Sequence, residues 1–169
     1  MEPHAATSPS TQAAVWKLAA FVAALDGATK ALAVRWWSHP TADAGPAHLH
    51  VVRNPGGPFG FAPRATVWFA LLALIAVPLV AGAAARVDSR ASVYGLGLVL
   101  GGTLGNVADR LLRGPGPLRG AVVDWIHIAP YRPVFNLADV ALRVGGVLMI
   151  AARVWRKHPH DHDLAASRR

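Results

Sequence analysis

The sequence predicts an all-α membrane protein: four transmembrane helices, with a small extracytoplasmic β-sheet formed by the two long loops. Three observations carry that expectation. The 169 residues are 53% hydrophobic and only 15% charged, too apolar and too charge-poor for an ordinary soluble domain. Apolar windows of about 20 residues, the length a helix needs to cross a bilayer, occur four times between charge clusters. Carboxylates and carboxamides, costly in such windows, gather towards one membrane face instead of scattering along the chain. The mean hydropathy of +0.34 is modest because polar ends dilute it.

Residues 1–12 are expected to form a disordered N-terminal tail, residues 13–155 the four-helix domain and residues 156–169 a basic cytoplasmic tail. The first window runs from Ala13 to Trp37. Asp26 and Lys30 at its centre, and the lack of a basic flank before it, fit a permanent span and not a cleaved signal peptide. Those two residues are four apart with the acid first, a spacing that pairs them on one helix face. The pair either lets the span insert as an internal ion pair or helps to shape a site. In the first long connection, Ser38 to Arg64, the run His48 to Val52 reads as a short strand. Asn54 then enters a tight turn through Pro55, Gly56, Gly57 and Pro58.

The second window is Ala65 to Ala85, and Arg86 to Arg90 turn the chain into the third, Ala91 to Leu112. Glycines crowd the third window at positions 95, 97, 101, 102 and 105, and the Gly101/Gly105 step reads as helix packing. In the second long connection, Arg113 to Pro133, the run Ala121 to Ile128 is again strand-like. The fourth window is Val134 to Trp155. Four spans put both termini on one side. The basic residues there (Lys17, Arg86, Arg90, Arg153, Arg156, Lys157, Arg168, Arg169) barely outnumber those opposite (Arg35, Arg53, Arg64, Arg110, Arg113, Arg119, Arg132). The dense cluster after the fourth window places the termini in the cytoplasm.

Composition also removes chemistries. With no cysteine there are no disulfides, thiolate metal sites or thiol nucleophiles. The net charge of +8 is spread over loops and tails without an aromatic-interleaved platform, which points to anionic lipid as the counter-charge and not to nucleic acid. His158, His160 and His162 could bind a metal but read as a solvated tail; His48 and His50 have no evident third ligand. His127, three after Asp124, reads as a loop histidine. No Gly-x-Ser-x-Gly or Ser/Lys arrangement suggests a serine nucleophile. No cofactor and no metal are expected.

The remaining polar residues form a pattern. Asn-x-x-Asp occurs twice, as Asn106 to Asp109 and Asn136 to Asp139, with Asp124 between them. The four-span topology gathers Asn54, Asn106, Asp109, Asp124, Asn136 and Asp139 at one face. The acids differ in setting. Asp109, beside Arg110, reads as an ionised, paired clamp. Asp124 lies in an apolar run that raises a carboxyl pKa by desolvation. Asp139 falls in the first turns of a helix, where the dipole favours the ionised form, with Arg143 four residues on as a pairing candidate. Two carboxyls in contrasting surroundings suit acid/base chemistry with water, and in a shared site they titrate as a coupled pair. A proton-coupled transporter would instead spread its acids through the membrane depth. A non-catalytic assembly factor would use the Asn and Asp residues only to bond helices together.

Five segments, in order, resemble the lipoprotein signal peptidases, the type II signal peptidases of bacteria. They are Asp26-x-x-x-Lys30, Asn54-x-Gly56-x-x-Phe59-Gly60, Gly102-x-x-Gly105-Asn106-x-x-Asp109-Arg110, Val122-Val123-Asp124-Trp125-Ile126 and Phe135-Asn136-x-Ala138-Asp139. The resemblance implies an aspartic endopeptidase of the bacterial cytoplasmic membrane that cuts signal peptides from lipid-modified prolipoproteins just before the lipidated cysteine. It implies Asp124 and Asp139 as catalytic dyad, with Asp26, Lys30, Asn54, Gly56, Asn106, Asp109, Arg110 and Asn136 positioning dyad and substrate. It also implies a monomer among membrane lipids, with the active site near the extracytoplasmic face. Two departures stand out: Gly57-Pro58-Phe59 where Ala-Ala-Phe is usual, and Trp125 where Phe is commoner.

Overall fold

The structure, a computed structural model, describes residues 9–38, 47–56, 66–84, 87, 89–131 and 133–157. Each apolar window is occupied by one helix: α1 (Pro9–Trp36), α2 (Thr66–Ala83), α3 (Arg90–Leu112) and α4 (Leu137–Lys157). Two strands, β1 (Ala47–Asn54) and β2 (Val122–Ile128), come from the two long connections. α1 starts inside the stretch expected to be a tail, since Pro9 suits a first helical turn, where a missing N–H costs nothing. α4 starts later than its window because Phe135 is held by a strand and Asn136 caps the helix. The His158, His160 and His162 tail lies outside the described residues, as do Phe59, Gly60 and the Gly57-Pro58 departure.

α3 is the central helix and packs against the other three. Val15, Ala19, Ala84, Val87, Leu96 and Leu100 form the buried apolar cluster at one end. Close approach elsewhere depends on glycine. A Cβ on Gly101 would lie 2.7 Å from the Ala19 carbonyl oxygen of α1, and one on Gly102 would lie 2.5 Å from the Ala138 carbonyl oxygen of α4. Gly102→Ala is therefore expected to push α3 and α4 apart at the level of Asp139 and to cost about 1–3 kcal/mol. Gly27→Ala, where an added Cβ meets nothing within 4 Å, should melt at or slightly above the wild-type temperature. Thermal unfolding of both variants in one detergent tests this; equal midpoints for Gly102→Ala and wild type would refute the close approach.

The polarity of the bundle is inverted relative to a protein built for water. Trp68, Leu72, Ile75 and Leu79 point outward from α2, as do Phe21 and Leu32 from α1 and Val147 and Ile150 from α4. Asp26 and Lys30 are completely buried. α2 and α3 are long and apolar enough to cross a membrane. α1 and α4 have their apolar runs broken by these and other charged residues.

The strands pair antiparallel, with a register shift between Leu49 and Val52. The Val51 N–H donates to the Trp37 carbonyl at 3.1 Å, tying β1 to the end of α1. The Trp37 and Trp125 rings stack at 5.5 Å with an interplanar angle of 19°, joining the same helix end to β2. The Phe135 carbonyl accepts the N–H groups of Trp125 and Ile126 at 3.0 and 2.9 Å, and its own N–H donates to the Ile126 carbonyl at 2.9 Å. β2 is thereby fixed between α1 and the chain entering α4, and it delivers Asp124 beside the α4 N-terminus.

Candidate active site

The α4 N-terminus organises the site. A helix begins with backbone N–H groups that lack intrahelical partners. Here Asn136 sits at the cap and accepts the Asp139 N–H through Oδ1 at 2.9 Å. Asp26, from α1, accepts the Ala138 N–H through Oδ1 at 2.9 Å. One orphan donor is thus satisfied locally and the next by a residue far away in the chain.

Three asparagines then share one logic. Each carboxamide has its oxygen engaged by a donor, so its NH₂ must face the other way. In Asn136, Nδ2 donates to Asp124 Oδ1 at 2.6 Å, with the Val123 carbonyl and Asn106 Oδ1 further off at 3.3 Å each. In Asn54, Oδ1 accepts the Gly56 N–H at 3.0 Å and Nδ2 donates to Asp124 Oδ2 at 3.1 Å. In Asn106, Oδ1 accepts from Lys30 Nζ at 3.0 Å and Nδ2 donates to Asp139 Oδ1 at 3.1 Å. Asp124 thus receives an amide on each oxygen and Asp139 receives one.

Behind the asparagines lies a charged cluster. Lys30 Nζ has three donors and three acceptors: Asp26 Oδ2 at 2.7 Å, Asp109 Oδ2 at 2.9 Å and Asn106 Oδ1. Asp109 Oδ2 also accepts the Val123 N–H at 3.0 Å, and its Oδ1 meets Arg113 Nε. Asp26 and Lys30 therefore both pair and shape the site. The expected Asp109/Arg110 pairing is corrected, because neighbours on a helix point about 100° apart whereas i and i+4 share a face, which selects Arg113. Arg110 turns the other way, and its Nη2 donates to the Gly56 carbonyl at 2.8 Å. Its buried Nη1 has no hydrogen-bond partner among the described residues.

Asn54, Asn106, Arg110, Asp124 and Asp139 line one cleft of about 120 Å³, closed by Val122, Pro133, Val134, Leu142 and Arg143. Asp124 is only 3% exposed. Burial chiefly, then repulsion from Asp139, pushes its pKa up to about 6 against the opposing bonds from Asn54 and Asn136. The desolvation expected for this acid is therefore present. Arg143, weighed as a partner for Asp139, holds its guanidinium over the Phe135 ring, Cζ 5.8 Å from the centroid. The His127 ring lies edge-on to His50 across the sheet at 5.8 Å. Sequence reasoning passed over Arg113, although its i, i+4 spacing from Asp109 would have found it. It also missed the stack of Trp37 on Trp125, for which no local pattern gives a signal.

Removing the cap tests this geometry. Asn136→Ala takes away the Asp139 N–H acceptor and an amide from a buried carboxyl, and should lower stability by about 2–3 kcal/mol. Thermal unfolding checks it; a midpoint within a degree of wild type would show that the cap contributes little.

Fold and cleft together define a class, a small helical membrane protein with a carboxylate pair at one end of its bundle. The chain belongs to the signal peptidase II family: the profile described as Signal peptidase (SPase) II, peptidase family A8, matches residues 18–155. A lipoprotein signal peptidase of Mycobacterium avium is 36% identical over 179 aligned residues, covering 99% of this chain and 94% of the relative. That of Mycobacterium tuberculosis strain H37Rv is 36% identical over 160 residues, 91% of this chain and 77% of the relative. A Streptomyces coelicolor relative is 43% identical over 102 residues, a match covering 59% of this chain and 48% of the relative, so the chain spans about half its length. A solved structure described as a bacterial membrane enzyme superposes with a TM-score of 0.76 at 23% identity, covering 95% of this chain and 97% of that one, which establishes a common fold.

Proposed function

We propose that the protein is an intramembrane aspartic endopeptidase that removes signal peptides from lipid-modified prolipoproteins, cutting before the lipidated cysteine. The observation that carries this reading is the pair of carboxyls, Asp124 and Asp139, facing one small cleft with their oxygens fixed by asparagine NH₂ groups. The dyad shares one proton. The ionised carboxyl takes a proton from water as the water oxygen attacks the scissile carbonyl carbon, while the protonated partner donates to the carbonyl oxygen. In collapse of the tetrahedral intermediate the C–N bond breaks, the protonated carboxyl gives its proton to the departing nitrogen, the ionised one takes the proton of a hydroxyl that becomes the product carbonyl, and no covalent enzyme intermediate forms. Arg110 Nη1, on the cleft wall, is a suitable donor to a substrate carbonyl.

In this reading all four helices span the bacterial cytoplasmic membrane. Their outward apolar faces and inward Asp26–Lys30–Asp109 cluster support it, since lipid tolerates charge only where partners are internal. Both termini are cytoplasmic and the cleft lies near the extracytoplasmic face, with the sheet at the membrane surface. The peptidase domain is residues 13–155, acting as a monomer surrounded by membrane lipids, and the remaining residues are tails. α2 packs chiefly on α3, which leaves a flank between α2 and α4 for lateral entry of the signal peptide.

The test is cleavage of a prolipoprotein by purified protein in detergent, followed by gel shift, with and without diacylglyceryl modification of its cysteine. The modified substrate should be cut before that cysteine and the unmodified one left intact. Folded protein that cuts neither would end this reading.

A further inference from the structure

Arg143 is an unusual residue to find on a helix read as membrane-spanning. A guanidinium at the bilayer centre costs about 2.5–3.5 kcal/mol on insertion scales. Near a helix N-terminus the dipole also opposes a cation. Its surroundings show where the charge goes. Arg143 is one turn beyond Asp139 on the same face of α4, is exposed, and lines the cleft. Helical side chains lean towards the helix N-terminus, and this one reaches back until its guanidinium sits over Phe135, the residue bonded to β2 ahead of α4. The charge is thus carried out of the span to the mouth of the cleft.

The charge balance gives that placement a direction. Behind the cleft, Asp26 and Asp109 are matched by Lys30 and Arg113. In the cleft, Asp124 and Asp139 face Arg110 and Arg143. A working dyad holds one proton, so among the described residues that line the cleft one negative charge stands against two positive ones. Of the two cations, Arg110 is buried and bonded to Gly56, while Arg143 is the one at the rim.

We propose that Arg143 is a specificity-determining residue that recognises a carboxylate side chain of the substrate within the first few residues after the scissile bond. This rests on the peptidase reading above. The segment before the bond is apolar signal peptide in lipid, where a carboxylate is excluded by the same insertion cost, so the acid must lie on the emerging side. A bidentate guanidinium–carboxylate pair at a wet rim contributes modestly, about fivefold in kcat/KM, and acts through KM because the pair forms before the chemistry.

Three lipid-modified prolipoproteins identical except for Asp, Asn or Lys at the second and third positions after the lipidated cysteine provide the test. Each is cleaved by the full chain in discs of phosphatidylcholine and in discs containing phosphatidylglycerol. Wild type should rank Asp over Asn over Lys, about fivefold per step and carried in KM, in both lipids. The ratios should collapse towards one in Arg143→Gln and invert in Arg143→Glu, whereas Arg143→Lys keeps the order. Because ratios are compared, a general loss of activity cannot imitate the result. Equal rates for the three substrates with wild type overturn the proposal, as does a ranking that survives in Arg143→Gln. A ranking that appears in only one lipid assigns Arg143 to lipid head groups and overturns it too. Failure of wild type to cut any of the three would instead defeat the peptidase reading itself.

Discussion

Asp124→Asn and Asp139→Asn should each lower turnover of a lipid-modified prolipoprotein by about 10⁴-fold, the upper range for loss of a positioned acid or base. If the two carboxyls act as one unit, as proposed, the double variant should be little worse than either single one. The variants ought to fold, and Asp124→Asn offers a second, independent readout. The Asp124 pKa is raised from 3.8 to about 6, so the folded state holds this proton more tightly than the unfolded chain does. Its contribution to stability is greatest below about pH 4, falls as pH rises towards 6 and is level above that. At 1.36 kcal/mol per pKa unit the decline is on the order of 2–3 kcal/mol. Thermal midpoints from pH 4 to 7 should show that slope in wild type and a flatter profile in Asp124→Asn. Either variant cleaving near the wild-type rate would remove its residue from the dyad. Parallel stability profiles would show that the Asp124 pKa is not raised in the folded state.

Lys30→Met should be the most damaging single change to the fold. Lys30 is fully buried and its ammonium is shared among Asp26, Asp109 and Asn106. Removing it leaves two acids facing each other out of water, a loss of about 3–5 kcal/mol for a broken buried pair. Lys30→Arg should rescue poorly, since a planar fork cannot replace a compact ammonium with three converging acceptors. Neutralising the abandoned acids as well, in Lys30→Met with Asp26→Asn and Asp109→Asn, should recover part of the stability. Thermal unfolding in detergent reads all three, and a Lys30→Met midpoint within two degrees of wild type would contradict the account.

Much of this arrangement is legible in the amino-acid order because hydrophobic windows and i, i+4 spacings are local. The four helices, the two strand-like runs, the Asp26/Lys30 pair and the desolvated setting of Asp124 are all read from short segments. What escapes is decided across distance. Arg110 looked like the partner of Asp109 by adjacency, yet it reaches 54 positions away to Gly56. The orientation of Asn54, Asn106 and Asn136 depends on which end each donor claims, and for Asn106 that donor is Lys30, 76 positions earlier. The shift between Leu49 and Val52, and the seating of Trp37 on Trp125, follow from how two loops meet, which neither loop encodes alone.

The bond from the Ala138 N–H to Asp26 also has a meaning for biogenesis. These residues are 112 positions apart, one on α1 and the other at the start of α4. Until α4 arrives, Asp26 lacks the helix end it will cap, Asn106 has no Asp139 to hold, and the chamber has only part of its wall. On the proposed function, a chain in which α4 has yet to join α1 and α3 would therefore be proteolytically silent, and competence would arrive in one step with α4. On that reading, folding order would act as a safety catch, withholding the proposed cutting centre until the bundle that confines it is complete.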